Sequence, residues 1–234
     1  MANFKTSYDA GNMTVSVDSE EVSRALGTLS DKMPATLKVA INRTAREGRK
    51  LLLDEVEKRY DLNEAGRRMI KDLRQRQRAT NRRLAATLGI TKNDPGAFRA
   101  DLGYFKTNPR TPFMGPNVRN APPHFQARVL KDSSMQNLTG TSEKSKGFLV
   151  QFKSGHMGMV QRQLGVPAAK DYTESGKKRW KPNEKLVTMS SPSASAMHRT
   201  VWEMQEATVE DMLRRNTEIR IQQVIANAKR KGLI

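Results

Sequence analysis

Apolar residues recur at helical spacing near both ends of this chain and at alternate positions through its middle. Residues 13–17 (MTVSV) alternate and predict a short strand. Asp18, with Glu21 three residues on, forms a capping-box pattern that opens a short helix striped by Val22, Leu26 and Leu29. Pro34 suits the start of a second, longer helix. There Leu37, Ile41, Thr44, Ala45, Leu52 and Val56 share one face, ending near Tyr60, while Lys38, Arg43, Arg46, Arg49, Lys50, Glu57 and Lys58 cover the others. Residues 83–91 alternate again through Leu84, Ala86, Leu88 and Ile90, and Asn93-Asp94-Pro95-Gly96 marks a turn. A Pro- and Gly-rich stretch, 108–123, predicts extended irregular chain before a strand over 124–131, with Phe125, Ala127 and Val129 on one face.

The segment FLVQFKSGHMGMVQRQLG (148–165) predicts a hairpin. Phe148, Val150 and Phe152 alternate with Leu149, Gln151 and Lys153, and Gly155 and Gly158 supply positive φ at the reversal. Leu186-Val187 is a last short strand candidate. In SSPSAS, Ser191 is the expected cap and Pro192 the first helical position of the longest helix. Its predicted face runs through Met197, Val201, Met204, Thr208, Met212, Ile219 and Ile225, widened by Trp202, Val209 and Leu213. Lys229, Arg230 and Lys231 favour its negative end, and Gly232 stops it. Strands flanked by helices, without a strand–helix–strand rhythm, predict an α+β fold. Two N-terminal helices, a small central antiparallel sheet with long loops and a long C-terminal helix make one domain over 1–234. Its parts are an N-terminal strand and short helix (1–33), a basic loop (166–185) and the closing helix (192–231).

Charge changes the picture more than size does. A chain of 234 residues with net charge +18 suits an acidic partner, whether nucleic acid, an anionic surface or an acidic protein. Cysteine is absent, which removes disulfides, thiolate metal sites and cysteine nucleophiles. The N-terminal residues lack a signal pattern, and no apolar run approaches the roughly 18 residues that span a bilayer. A soluble cytoplasmic protein with no membrane partner is the expectation. His124, His156 and His198 are scattered and form no HExxH pattern, so no metal site is expected. No phosphate-binding glycine loop or nucleophile elbow occurs. Asp94 and Asp101 could serve acid–base chemistry, but turn and cap roles explain them better. The expectation is a protein that is not an enzyme and takes no cofactor.

Two segments hold the candidate contact residues. Residues 64–83 (EAGRRMIKDLRQRQRATNRR) carry Arg67, Arg68, Lys71, Arg74, Arg78, Arg82 and Arg83, read as a row of guanidiniums along a helix that neutralises phosphates or meets an acidic neighbour. The 166–185 loop crowds Lys177, Lys178, Arg179 and Lys181 around Trp180. With 6% aromatic residues overall, a base-stacking platform is less expected there than a loop that orders on a protein partner.

Several of these segments, in order, resemble the phage minor tail protein Z family, the tail-completion proteins. The matching pieces are AINRTAREGRKLL (40–52), Tyr60 and the basic segment, RLAATLGI (83–90), Tyr104-Phe105, and Asn108-Pro109-Arg110-Thr111-Pro112. The 148–165 hairpin and SSPSASAM (190–197) complete the series, with Ser191 where the family has glycine before Pro-Ser. The resemblance implies a virion structural protein that assembles in the host cytoplasm as a ring, six copies, at the head-proximal end of the tail. Implied partners are copies of itself, tail terminator, tail tube or connector proteins, and phage DNA. Closed rings follow from heterologous interfaces. The alternative, from charge alone, is a sequence-independent nucleic-acid-binding protein.

Overall fold

The computed structural model describes residues 4–17, 19–113, 125–138, 146–164 and 184–234. The fold is α+β: two long helices, shorter helical segments and several small antiparallel sheets. The chain divides into two compact units, a subdivision that the hydrophobic pattern does not announce. The first comprises Met1–Val56, Arg68–Phe98 and Ala194–Ile234; the second comprises Glu57–Arg67 and Arg99–Ser193.

In the first unit, β1 (Phe4–Asp9) and β2 (Asn12–Val17) form a hairpin whose two turn residues, Ala10 and Gly11, take positive φ of 43° and 81°. Positive φ at both positions lets a two-residue turn match the strand twist. Two further strands, β3 (Arg74–Gln77) and β4 (Ala85–Gly89), complete a sheet in the order β1-β2-β4-β3. The register sets Val15 against Ala86 and Met13 against Leu88, all four buried. Val22 and Leu26 are buried on α1 (Ser19–Leu26), and Leu29 on the 3₁₀ segment that follows it; Asp18 lies outside the described residues.

The second helix, α2 (Met33–Arg59), matches its prediction: all six stripe residues from Leu37 to Val56 are buried. Burial of that stripe, about 1.5–3 kcal/mol for each large side chain, outweighs the helix-averse Gly48. A Cβ at Gly48 would lie 3.0 Å from Met13 Cε and 3.5 Å from a Val209 methyl, so this glycine lets the sheet and the last helix close on α2.

The chain's last helix is α4 (Ala194–Arg230). It starts two residues later than expected, and Ser191 is not its cap. Instead its first amides, those of Ala194 and Ser195, donate to the carbonyls of Gly96 and Ala97 (3.0 and 2.9 Å). Backbone from the predicted 93–96 turn thus satisfies donors that a helix start leaves open. Of the expected face, Met197, Val201, Trp202, Val209 and Leu213 are buried. The buried face adds the polar His198, Asn216 and Thr217, whereas Met204 is 53% exposed and Thr208 faces solvent. Tyr8 of β1 stacks on Trp202 with centroids 6.2 Å apart, and its hydroxyl donates to the Ser195 carbonyl. At the far end the Gly232 and Leu233 amides donate to the carbonyls of Lys229 and Ala228, with Gly232 at φ 65°. That is the expected glycine stop.

The second unit is made of small sheets. One joins β5 (Ala100–Asp101) to β12 (Ser190–Ser191); the strand position of Ser191 is what removes it from the helix. Another runs β6 (Lys106–Asn108), β7 (Gln126–Arg128) and β8 (Gln136–Asn137). The third has β10 (Met157–Leu164) between β9 (Gly147–Gln151) and β11 (Glu184–Thr188), so the predicted hairpin and the Leu186-Val187 strand belong together. Phe125, Phe148, Leu149, Met159 and Val160 form the core, with Leu102, Phe113 and Met189 packed on it. Phe148 and Leu149 are both buried and Phe152 is 40% exposed, so β9 departs from the expected alternation. Of the two hairpin glycines, only Gly155 has positive φ (82°).

Candidate interaction surface

The basic segment 64–83 is not one helix. It forms α3 (Glu64–Ile70), a turn, and then β3. Arg49 of α2 explains the break. Its guanidinium donates to the carbonyls of Leu73 (2.6 Å) and Lys71 (2.9 Å), acceptors that a continuing helix would need for residues 77 and 75. Met69, Ile70 and Leu73 anchor the turn in the core, and Arg-Gln-Arg-Gln then alternates as an edge strand. Arginine and a register shift between Gln75 and Gln77 suit an edge left open to solvent.

The predicted contact residues separate accordingly. Arg67 and Arg68 are exposed on α3, and Lys71 lies in the turn after it. Arg74 pairs with Asp72, while Arg76 donates to the Gly89 carbonyl and to Asp94 (both 3.0 Å). Arg78, Arg82 and Arg83 are exposed at the tip of the β3–β4 hairpin, where Thr80 and Arg83 exchange backbone hydrogen bonds (2.8 and 3.2 Å). Lys177, Lys178, Arg179 and Lys181 lie outside the described residues, as do Trp180 and His124.

The residue that holds the hairpin was not among those singled out in the sequence. Asn42 of α2 meets Ala79 in both directions: its amide donates to the Ala79 carbonyl and its oxygen accepts the Ala79 amide, each at 3.0 Å. Gln75 adds a third bond to the same oxygen at 3.1 Å. No local signal marks Asn42, because its partner is 37 positions away. Replacing Asn42 with alanine strands both buried polar groups of Ala79, and urea denaturation should show a loss of about 2 kcal/mol. A loss under about 0.5 kcal/mol would mean that water replaces the side chain at no net cost. On α2 and α4, Thr44 and Glu47 receive the Asn216 amide (3.0 and 2.7 Å), so AINRTAREGRKLL builds both the hairpin mount and the junction with α4.

In the second unit a lock joins two segments prominent in the sequence. Asp101 Oδ1 accepts the amides of Gly103 (2.7 Å) and Met159 (3.2 Å), and Oδ2 meets His156 Nε2 at 2.7 Å. The His156 ring lies 5.0 Å from that of Tyr104 and stacks on Phe152, nearly parallel, at 5.9 Å. Burial, reinforced by the Asp101 charge, raises the Tyr104 phenol above its ordinary pKa. A Cβ at Gly103 would fall 2.1 Å from the Met157 carbonyl oxygen, and one at Gly158 would fall 2.4 Å from the Phe152 ring. Space, rather than a positive φ, therefore requires glycine at 158. Asp94 and Asp101 are both spent on local structure, since Asp94 accepts the Thr91 amide at 2.7 Å.

His198, on α4, is fully buried in the first unit. Its Nε2 donates to the Ile70 carbonyl (2.9 Å), and Nδ1 has no hydrogen-bond partner. Burial, with the nearby Arg49 charge adding to it, pushes its pKa down to about 4. Among the described residues no group of three or more His, Cys, Asp or Glu side chains could hold a metal, and no helix is long and apolar enough to cross a membrane. Compared with family models, with curated proteins and with solved structures, this chain has no match.

Proposed function

We propose that this chain is a virion structural protein of the tail-completion kind, forming a ring at the head-proximal end of a phage tail. The observation that carries the reading is the mounted arginine hairpin. Exposed Arg78, Arg82 and Arg83 stand on a tip that Asn42 holds, on a hairpin whose entry turn Arg49 holds, and both anchors belong to AINRTAREGRKLL, one of the segments that carry the resemblance. A fixed basic projection suits a subunit that must meet an acidic neighbour in the same geometry at every position of a ring. It equally suits phosphate contact, which favours the second reading, a sequence-independent nucleic-acid binder.

The triple variant Arg78→Glu, Arg82→Glu, Arg83→Glu separates the two. If the ring reading is right, negative-stain images of the unaltered chain show closed rings, and the variant stays monomeric with a normal circular dichroism spectrum. If the unaltered chain stays monomeric and binds duplex, and the variant loses that binding with the salt slope falling by about 3, the second reading replaces the first.

A further inference from the structure

We propose that a cleft in the second unit, distinct from the arginine hairpin, binds a phosphoryl group. The cleft encloses about 400 Å³ and is lined by Asp61, Asn63, Glu64, Arg67, Lys106 and Arg110, among others. That volume is within the range of small-molecule sites, which start at about 300 Å³. Three of the named residues are cations, and none of those three has an ion-pair partner among the described residues. The carboxylate of Asp61 is already taken by Arg128 at 2.6 Å.

The walls are built before any ligand arrives. Residues 61–63 pair with 104–106: the Asn63 amide donates to the Tyr104 carbonyl (3.1 Å) and the Lys106 amide to the Asp61 carbonyl (2.8 Å). The Asn63 side chain donates to the carbonyls of Gly103 (2.6 Å) and Phe105 (3.1 Å) and accepts the Gly66 amide (3.0 Å). A Cβ at Gly66 would fall 2.2 Å from the Tyr104 carbonyl oxygen. That close approach seats the start of α3 against the 104–106 segment, so Arg67 and Lys106 line one cleft. A site fixed in this way loses little freedom on binding.

The charge pattern selects the ligand. Three separate cations suit the several oxygens of a phosphate better than the two of a carboxylate. Glu64 on the same wall opposes a polyanion threaded through the cleft but tolerates a compact anion on the cationic side. The phosphate belongs either to a free phosphate ester or diphosphate, or to the phosphorylated end of a nucleic-acid strand.

Calorimetric titration of the whole chain with inorganic pyrophosphate at low salt tests the site. One-to-one saturable binding is expected, at least tenfold weaker in Lys106→Gln/Arg110→Gln and changed less than twofold in Arg82→Gln at the hairpin tip. Should the double variant fail to fold, Arg67→Gln on the exposed face of α3 takes its place, with the same tenfold criterion. A hexanucleotide that competes with pyrophosphate only when 5′-phosphorylated identifies a strand end. Pyrophosphate binding without such competition identifies a free phosphate. The proposal is overturned by the absence of saturable heat, by equal weakening in Arg82→Gln, or by equal affinity for glutarate.

Discussion

Acidifying the protein from pH 6.5 to pH 4 should cost about 3 kcal/mol of stability through His198 alone. The folded-state pKa, about 4, lies below the ordinary value of 6.5, so the unfolded chain takes up the proton first. The neutral ring's contribution is therefore complete above pH 6.5 and is lost as pH falls towards 4. The cause is geometric. A proton added at Nδ1 would sit in a fully buried site with no acceptor, near the Arg49 charge. Urea midpoints measured at half-unit steps should fall steeply for the unaltered protein. They should fall much less for His198→Gln, whose amide can still donate to Ile70 but does not titrate. Parallel pH profiles for the two proteins would exclude His198 as the acid-sensitive group.

Gly103→Ala is the second large effect, expected to destabilise by about 3 kcal/mol and to lower the melting temperature by roughly 10 °C. The added methyl would meet the Met157 carbonyl oxygen at 2.1 Å, the Asp101 carboxylate at 2.6 Å and Gly158 Cα at 2.9 Å. Two of these are backbone and cannot turn aside. The third is the carboxylate that ties Gly103, Met159 and His156 together, so displacing it weakens three hydrogen bonds at once. Gly155→Ala provides the contrast. Its methyl would enter open space, and only the left-handed backbone opposes it, at about 1–2 kcal/mol. Equal losses in the two variants would show that the 101–105 segment yields, and that the lock is not rigid.

The long periodic segments could be read from the sequence because burial there follows a single face. All six α2 stripe residues are buried, and β4 buries Ala86 and Leu88 as alternation requires. The misreadings have separate causes. On α4 the apolar pattern places Met197, Val201, Trp202, Val209 and Leu213 on the buried face but passes over the polar His198, Asn216 and Thr217, which share it. In the basic segment the density of arginines suggests a solvated helix, whereas Arg-Gln-Arg-Gln alternates with period 2 and forms a strand. The strand β1 gives a weak signal because its inward residues, Phe4, Thr6 and Tyr8, are only half-buried. The anchors Asn42 and Arg49 leave no local signal, since they act on positions 37 and 24 residues away; the cap role of Asp101 on the Gly103 amide is legible in the sequence, and its contact with His156, 55 residues on, is not.

The first unit is interrupted by the second, and Tyr8 waits for a carbonyl 187 positions downstream. On the ribosome, α4 emerges only after residues 99–193 have been made, so the surfaces of β1 and α2 that it packs on, around Tyr8, Thr44 and Gly48, must stay uncovered through that interval. Such long loop closures slow folding and leave time for aggregation. A transcript broken near codon 193 would yield a polypeptide whose opening segment lacks its cover, a natural target for proteolytic clearance.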